Sequence, residues 1–311
     1  MFHVKQHKSK EKKTVENIEF KPNGSKDDGE KERSLKYKEA ERKKPDYNTL
    51  ILAIINQKGG VGKSTTAVNL SACLGELGYK VLLVDLDPQG NSSSGLGFDK
   101  TSCEFCSYDC LLNDDVKTEN VIQGVKSPNV WLIPATINLA GAEAELVQVI
   151  ARESRLKESL EQVDGEFDFI LIDCPPSLGL LTVNALTAAN NIIIPIQCEF
   201  YALEGLSKII DTTNMVKKRL NPALDIFGVV ITMYDNRTSL AKQVSDEVYG
   251  FFKDKVFDTK IPRTVRISEA PGFGLPINEY DPNGKGTKAY RALTKEVVKR
   301  YKNLNKQESE K

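Results

Sequence analysis

Asn56-Gln57-Lys58-Gly59-Gly60-Val61-Gly62-Lys63-Ser64-Thr65 is the stretch that decides how this chain folds. An apolar run, Leu50 to Ile55, precedes it and has the length and character of a buried parallel strand. A helical pattern follows, from Ser64 to about Leu77. Strand, glycine-rich turn and helix start together make a setting in which backbone N–H groups converge on phosphate oxygens. Glycines let the backbone turn inward, and the helix N-terminus adds partial positive charge. Gly59, Gly60, Val61, Gly62, Lys63, Ser64 and Thr65 are therefore the candidate phosphate cradle. In that cradle Lys63 is spaced to reach β- and γ-phosphates, and Ser64 to offer a hydroxyl to Mg²⁺.

The common form of this loop has glycine five residues before Gly62, where this chain has Gln57. It carries an additional lysine, Lys58, just ahead of the paired glycines. The loop runs away from its own phosphates at that point, so Lys58 is better placed to meet a nucleotide held by a second copy. That geometry predicts a dimer closed face to face around ATP.

Composition narrows the choices. The chain has 311 residues, 40% of them apolar, enough for a sizeable core. Lys+Arg and Asp+Glu are both 43, but the balance hides a split. Residues 1–46 hold 14 basic and 10 acidic side chains, a net of +4, which leaves the remainder at −4. A globally basic nucleic-acid binder is excluded, whereas a local basic patch is not. The six cysteines follow no apolar leader, and no apolar run approaches the roughly 18 residues of a membrane span. They read as reduced thiols of a cytoplasmic protein. His3 and His7 are the only histidines and lie in the charged N-terminal segment, which removes the hydrolase classes built on a histidine base.

Two further segments sit at the ends of predicted strands. Lys80 to Asp85 is followed by Asp85-Leu86-Asp87-Pro88-Gln89-Gly90-Asn91. Phe167 to Asp173 is followed by Cys174-Pro175-Pro176-Ser177-Leu178-Gly179. Acids at strand C-termini lie beside the phosphates in an open α/β sheet. Together with Lys-Gly-Gly-Val-Gly-Lys-Ser, these segments closely resemble the ParA/Soj partition ATPases, from about Thr49 to Tyr301.

The resemblance implies a P-loop α/β fold, an open, mostly parallel twisted sheet with helices on both faces. It implies ATP and Mg²⁺ as cofactors and an ATPase that is weak alone and stimulated by a ParB/Spo0J-like partner. The ATP-bound homodimer would bind double-stranded DNA without sequence preference, placing the protein on the nucleoid rather than on a membrane. Residue by residue, Lys58, Lys63 and Asp87 would carry catalysis, with Asp87 orienting the attacking water. Ser64, Asp87 and Asp173 would serve the metal, and Met233, Pro262 and Thr264 the nucleotide base. The family usually has asparagine where this chain has Thr264. Arg237 and Arg266 match DNA-binding arginines. Glu199-Phe200-Tyr201-Ala202-Leu203-Glu204-Gly205 matches a segment of the dimer face. The main rival within the same superfamily is a MinD-like membrane-associated ATPase, and a second is an electron-transfer iron protein that uses cysteines for a shared cluster.

The remaining expectations concern organisation. Residues 1–47 form a charged, disordered extension, 48–304 the ATPase domain and 305–311 a disordered polar tail. Leu139 to Val163 has the apolar spacing of one long helix, Val256 to Ile261 reads as the last strand, and Tyr290, Leu293, Val297 and Tyr301 form one helical stripe. Cys103, Cys106 and Cys110 offer three thiols without a fourth ligand nearby, which favours ordinary thiols over a metal site. Finally, Met1-Phe2-His3-Val4-Lys5-Gln6 can be encoded as ATG TTT CAC GTG AAA CAG. That string contains the inverted repeat TGTTTCACGTGAAACA, which resembles the centromere-like site of the family's ParB partner. We expect the natural codons to preserve the repeat; synonymous bases that break it, seen on sequencing the gene, would remove the idea.

Overall fold

The computed structural model describes residues 48–199 and 205–309. The extension 1–47, its first six residues included, and Phe200 to Glu204 of the expected dimer face lie outside the described residues. In chain order the main elements are β1 (Leu50–Ile54), α1 (Lys63–Glu76), β2 (Val81–Asp85), α2 (Asn91–Gly95), β3 (Gln123–Gly124), β4 (Val130–Ile133), α3 (Leu139–Leu146), α4 (Arg155–Glu161) and β5 (Phe169–Asp173). They continue as α5 (Leu180–Ala188), β6 (Asn191–Gln197), α6 (Leu206–Arg219), β7 (Asp225–Thr232), α7 (Ser239–Phe252), α8 (Val265–Glu269) and α9 (Lys285–Ser309).

The strands form one seven-stranded sheet in the order β3-β4-β2-β5-β1-β6-β7, parallel except for β3 against β4. The central strands β1, β2 and β5 are buried on both faces, as their continuous aliphatic runs require. The register sets Ile54 and Asp85 on either side of Asp173, so three strand ends converge at one edge. The chain leaves β1 toward β2 on one side and is later flanked by β6 on the other. That reversal opens a crevice at the strand C-termini. The stripe Tyr290, Leu293, Val297 and Tyr301 closes one face, each at 1% exposure or less. Burying side chains of this size stabilises by roughly 1.5–3 kcal/mol each.

Three expectations differ from what is observed. Leu139 to Val163 is two helices, α3 and α4, not one. Ala151 takes a positive φ of 53° between them, and Ile150, one of the residues that sustain the helical spacing, is exposed. The broken backbone finds its partner on α5: the Asn184 amide donates to Arg152 O at 2.8 Å, and Asn184 Oδ1 accepts from Leu156 N at 3.1 Å. Buried backbone groups need partners, and one asparagine supplies them here.

Val256 to Ile261 is not a strand. It forms no ladder with the sheet, only the isolated bridges Val229 with Val256 and Tyr234 with Pro262 and scattered backbone bonds such as Phe257 N to Val229 O and Ile261 N to Ile231 O. Side chains take the groups a ladder would use. Arg300 donates to the carbonyls of Lys255 and Val256, and Glu296 accepts from the amides of Asp258 and Thr259 at 2.9 Å each. Lastly, α9 runs on to Ser309, into the segment expected as a polar tail. Asn305 is buried and donates to Tyr301 O at 3.2 Å.

Candidate nucleotide-binding site

The turn between β1 and α1 is held from both sides. Gly60 and Gly62 have φ of 75° and 90°, left-handed values that side chains disfavour. Thr232, the last residue of β7, donates its hydroxyl to Val61 O at 2.8 Å and thereby staples the loop to the sheet. Asn56 anchors the loop's start, donating to Pro195 O at 2.7 Å and accepting from Lys58 N at 2.9 Å. Lys63 is buried, and its ammonium lies 3.3 Å from Lys58 O. Burial lowers its pKa, which Asp173, Cys174 and Asp87 oppose.

A cavity of about 550 Å³ opens over this loop. Gly59, Gly60, Gly62, Lys63, Ser64, Thr65, Asp87 and Met233 all line it, as does Pro176 of the proline-rich segment. Val61 is instead buried beneath. Pro262 and Thr264 line a smaller adjoining cavity that shares Gly62, Thr65 and Met233. The predicted phosphate and base residues thus line two neighbouring cavities with shared walls.

The acids behind the loop are disposed for a cation. Asp85 and Asp173 face each other in register on neighbouring strands, both fully buried. Asp85 Oδ2 accepts from the amide and hydroxyl of Ser93 at 2.7 Å each, and burial pushes its carboxyl up to about 6. Asp173 Oδ2 accepts from Ser92 at 2.7 Å. Burial first, and then the Asp85 charge, push the Asp173 carboxyl up to about 7, while Ser64 and Ser92 work against the shift. Asp173 Oδ1 has no hydrogen-bond partner among the described residues. An orphaned buried carboxylate oxygen beside the Ser64 hydroxyl is the donor set that a hard, oxygen-preferring cation such as Mg²⁺ satisfies. Asp87 is nearly buried, and its Oδ1 accepts from Gln89 N at 3.0 Å, which fixes the carboxylate at the cavity wall.

Lys58 behaves differently from Lys63. It does not line its own cavity, and its ammonium pairs with Glu199, just past the end of β6. Both side chains are roughly half exposed, at 41% and 47%.

Two features were not foreseen from sequence. Lys100 donates to the carbonyls of Gln89 and Gly90 at 3.0 and 3.3 Å, bracing the turn that carries Asp87. Gly90 permits this: its φ is 63°, and a Cβ there would sit 2.9 Å from the Lys100 side chain. No local pattern marks a lysine so used. Asp85, read only as part of a motif, proves to be the buried neighbour of Asp173, a fact of strand register.

The expected DNA contacts are exposed, Arg237 on the loop between β7 and α7 and Arg266 on the short helix α8. Arg237 is bidentate to Asp235, at 2.8 and 2.6 Å, and holds that carboxyl down to about 2. Arg266 reaches Glu269 at 3.2 Å and lies over the Tyr280 ring. The three clustered cysteines go separate ways. Cys103 donates to Phe105 O, Cys106 contacts the Thr136 hydroxyl and Cys110 is buried.

Comparison with known proteins agrees with this layout. Residues 49–226 match the family model described as an AAA domain. The sporulation initiation inhibitor protein Soj of Bacillus subtilis is 57% identical over 248 residues, covering 80% of this chain and 98% of that protein. The chromosome partitioning protein ParA of Myxococcus xanthus is 50% identical, covering 80% and 88%. The chain belongs to the Soj/ParA family of chromosome-partitioning proteins. Solved structures share the Soj/ParA fold. The cobyrinic acid a,c-diamide synthase of Mycobacterium smegmatis, with bound ADP and magnesium, superposes with a TM-score of 0.72 at 39% identity, covering 82% of this chain and 96% of that one. The septum site-determining protein MinD of Pyrococcus horikoshii, complexed with Mg-ADP, gives 0.65 at 31% identity, covering 80% and 96%. Among the described residues of this Soj/ParA chain, no helix is long and apolar enough to cross a membrane.

Proposed function

We propose that this chain is an ATPase that binds ATP and Mg²⁺ in the cavity over Gly59–Thr65, dimerises around the nucleotide, and as a dimer binds DNA without sequence preference in a partition system with a ParB-type partner. One observation carries the reading: Lys58 is turned away from its own phosphate cavity, onto a half-exposed Glu199. A solvent-exposed ion pair is worth only about 0.2–1 kcal/mol. A triphosphate brought up by a second copy offers more charge in a drier setting, so Lys58 can exchange Glu199 for it at little cost.

Within one copy the residues divide the work. Lys63 and the loop amides bind the β- and γ-phosphates. Ser64 and Asp173 would hold Mg²⁺, whose charge, when bound, would offset negative charge on the phosphoryl oxygens. Asp87 orients the attacking water from the cavity wall, and Pro175 and Pro176 restrict the segment facing the γ-phosphate to few conformations.

DNA contact falls to Arg237 and Arg266, exposed arginines whose carboxylate partners Asp235 and Glu269 are partly exposed and can give way to phosphate. Each phosphate neutralised adds roughly 0.9 to the slope of log affinity against log salt. Arg237→Glu should therefore abolish ATP-dependent DNA retention and leave nucleotide binding intact. Co-sedimentation with DNA in ATP, ADP and no nucleotide tests this, and retention unaffected by the substitution would clear Arg237 of the role. Liposomes in the same assay separate this reading from a MinD-like one, since pelleting with ATP and lipid instead of DNA would favour the latter.

A further inference from the structure

Lys100 reaches the turn between β2 and α2 from outside the motifs that mark the site. Its ammonium donates to Gln89 O at 3.0 Å and to Gly90 O at 3.3 Å. A short turn of its own holds the lysine, in which Asp99 accepts from the amide and hydroxyl of Thr101 at 3.0 and 2.6 Å. The peptide joining Gln89 to Gly90 is thereby gripped at both ends. Gly90 N donates to Asp87 O at 2.8 Å, and Gln89 O accepts from Lys100. The amide just before it, Gln89 N, is the one that donates to Asp87 Oδ1.

Such a grip matters because the turn contains glycine. Gly90 has a φ of 63°, and a glycine peptide left to itself passes between turn conformations at little cost. Rotation of the Gln89–Gly90 peptide would withdraw its N–H from Asp87 O and shift the neighbouring amide that fixes the carboxylate. Lys100 blocks that route by packing as well as by charge. A Cβ at Gly90 would lie 2.9 Å from both Cδ and Nζ of Lys100, so glycine and lysine stem are fitted to each other. The cation side of the site is held separately. Ser92 and Ser93 bond Asp173 and Asp85 directly, and Ser93 Oγ also accepts from Ala135 N at 3.0 Å. Loss of the Lys100 ammonium therefore falls on Asp87 and not on the cation ligands.

Resting on the reading that Asp87 orients the attacking water, we propose that Lys100 is a positioning residue for hydrolysis. It acts through the Asp87 turn, on turnover and not on nucleotide binding. Lys100 does not line the cavity, so its influence on the reacting atoms passes through the backbone it holds.

The test measures phosphate release from γ-labelled ATP under single-turnover conditions, beside calorimetric titration with ATPγS, both on the full chain in Mg²⁺. Lys100→Met keeps the stem against Gly90 and removes the ammonium. It should slow release about 10- to 100-fold, the cost of a small misplacement at a reacting centre, while ATPγS affinity stays within about twofold of the parent. Lys100→Arg keeps charged donors and should recover most of the rate. In Asp87→Ala, where no carboxylate is left to aim, adding Lys100→Met should slow release no further, since residues that act as a unit are not additive. Four results would each overturn the inference and leave the proposed function standing: parental turnover in Lys100→Met, ATPγS affinity falling in step with the rate, a Lys100→Arg as slow as Lys100→Met, or a full further loss in the double variant. Parental turnover in Asp87→Ala would instead remove the reading of Asp87, and this inference with it.

Discussion

Lys58→Ala should bind ATP as a monomer and fail to dimerise. Lys58 takes no part in lining its own cavity, so losing it leaves Lys63, the loop amides and the metal ligands in place. What disappears is the cation each copy would lend its partner. Truncating one member of a desolvated, hydrogen-bonded charge pair across an interface costs about 2–5 kcal/mol, or roughly 30- to several-thousand-fold in dimer affinity. Light scattering with a non-hydrolysable analogue reads the mass, and titration of the same sample reads nucleotide affinity. DNA retention should be lost in parallel, because each copy alone presents half the contacts. A variant that still dimerises would sink the cross-subunit role, and loss of nucleotide binding would assign Lys58 to its own phosphates.

The second large effect is expected at Asp87. Asp87→Ala should hold ATP and remain dimeric while turnover falls about 10²- to 10⁴-fold, the usual range for removing a positioned acid–base group. The protein would then accumulate as an ATP-bound, DNA-retaining dimer that the partner cannot discharge. Phosphate release beside a sizing column separates the two quantities. If nucleotide affinity drops as well, Asp87 serves the metal more than the water. The adjacent buried pair makes that contrast informative, since Asp173 with its orphaned oxygen remains available to the cation in the variant.

The family resemblance and the site are tied to short, contiguous motifs. The loop Lys58 to Thr65 and the two acidic strand ends are each legible because their chemistry depends on neighbours a few residues away. The sheet is equally legible: β1, β2 and β5 are aliphatic runs that can be buried on both faces only in a parallel sheet. The misreadings occur where a distant side chain captured backbone groups. Periodicity carried one helix across Ala151 because Val149 and Ile150 keep the spacing, and nothing local announces that Asn184 will satisfy the break. The apolar stretch before Pro262 satisfies strand preference, yet Arg300 and Glu296, on α9, occupy its carbonyls and amides.

The sequence by itself determined that a phosphate cradle stands between a buried strand and a helix, and which residue types face it. Only the tertiary structure decided how those groups are charged and aimed. Asp85 reaches Asp173 through strand register, Lys100 braces the Asp87 turn, and Lys58 meets Glu199 across 141 residues of chain. Such pairings follow from where the sheet brings strand ends together. Local spacing carries no record of them, because their energy comes from burial and charge shared between segments that only folding makes neighbours.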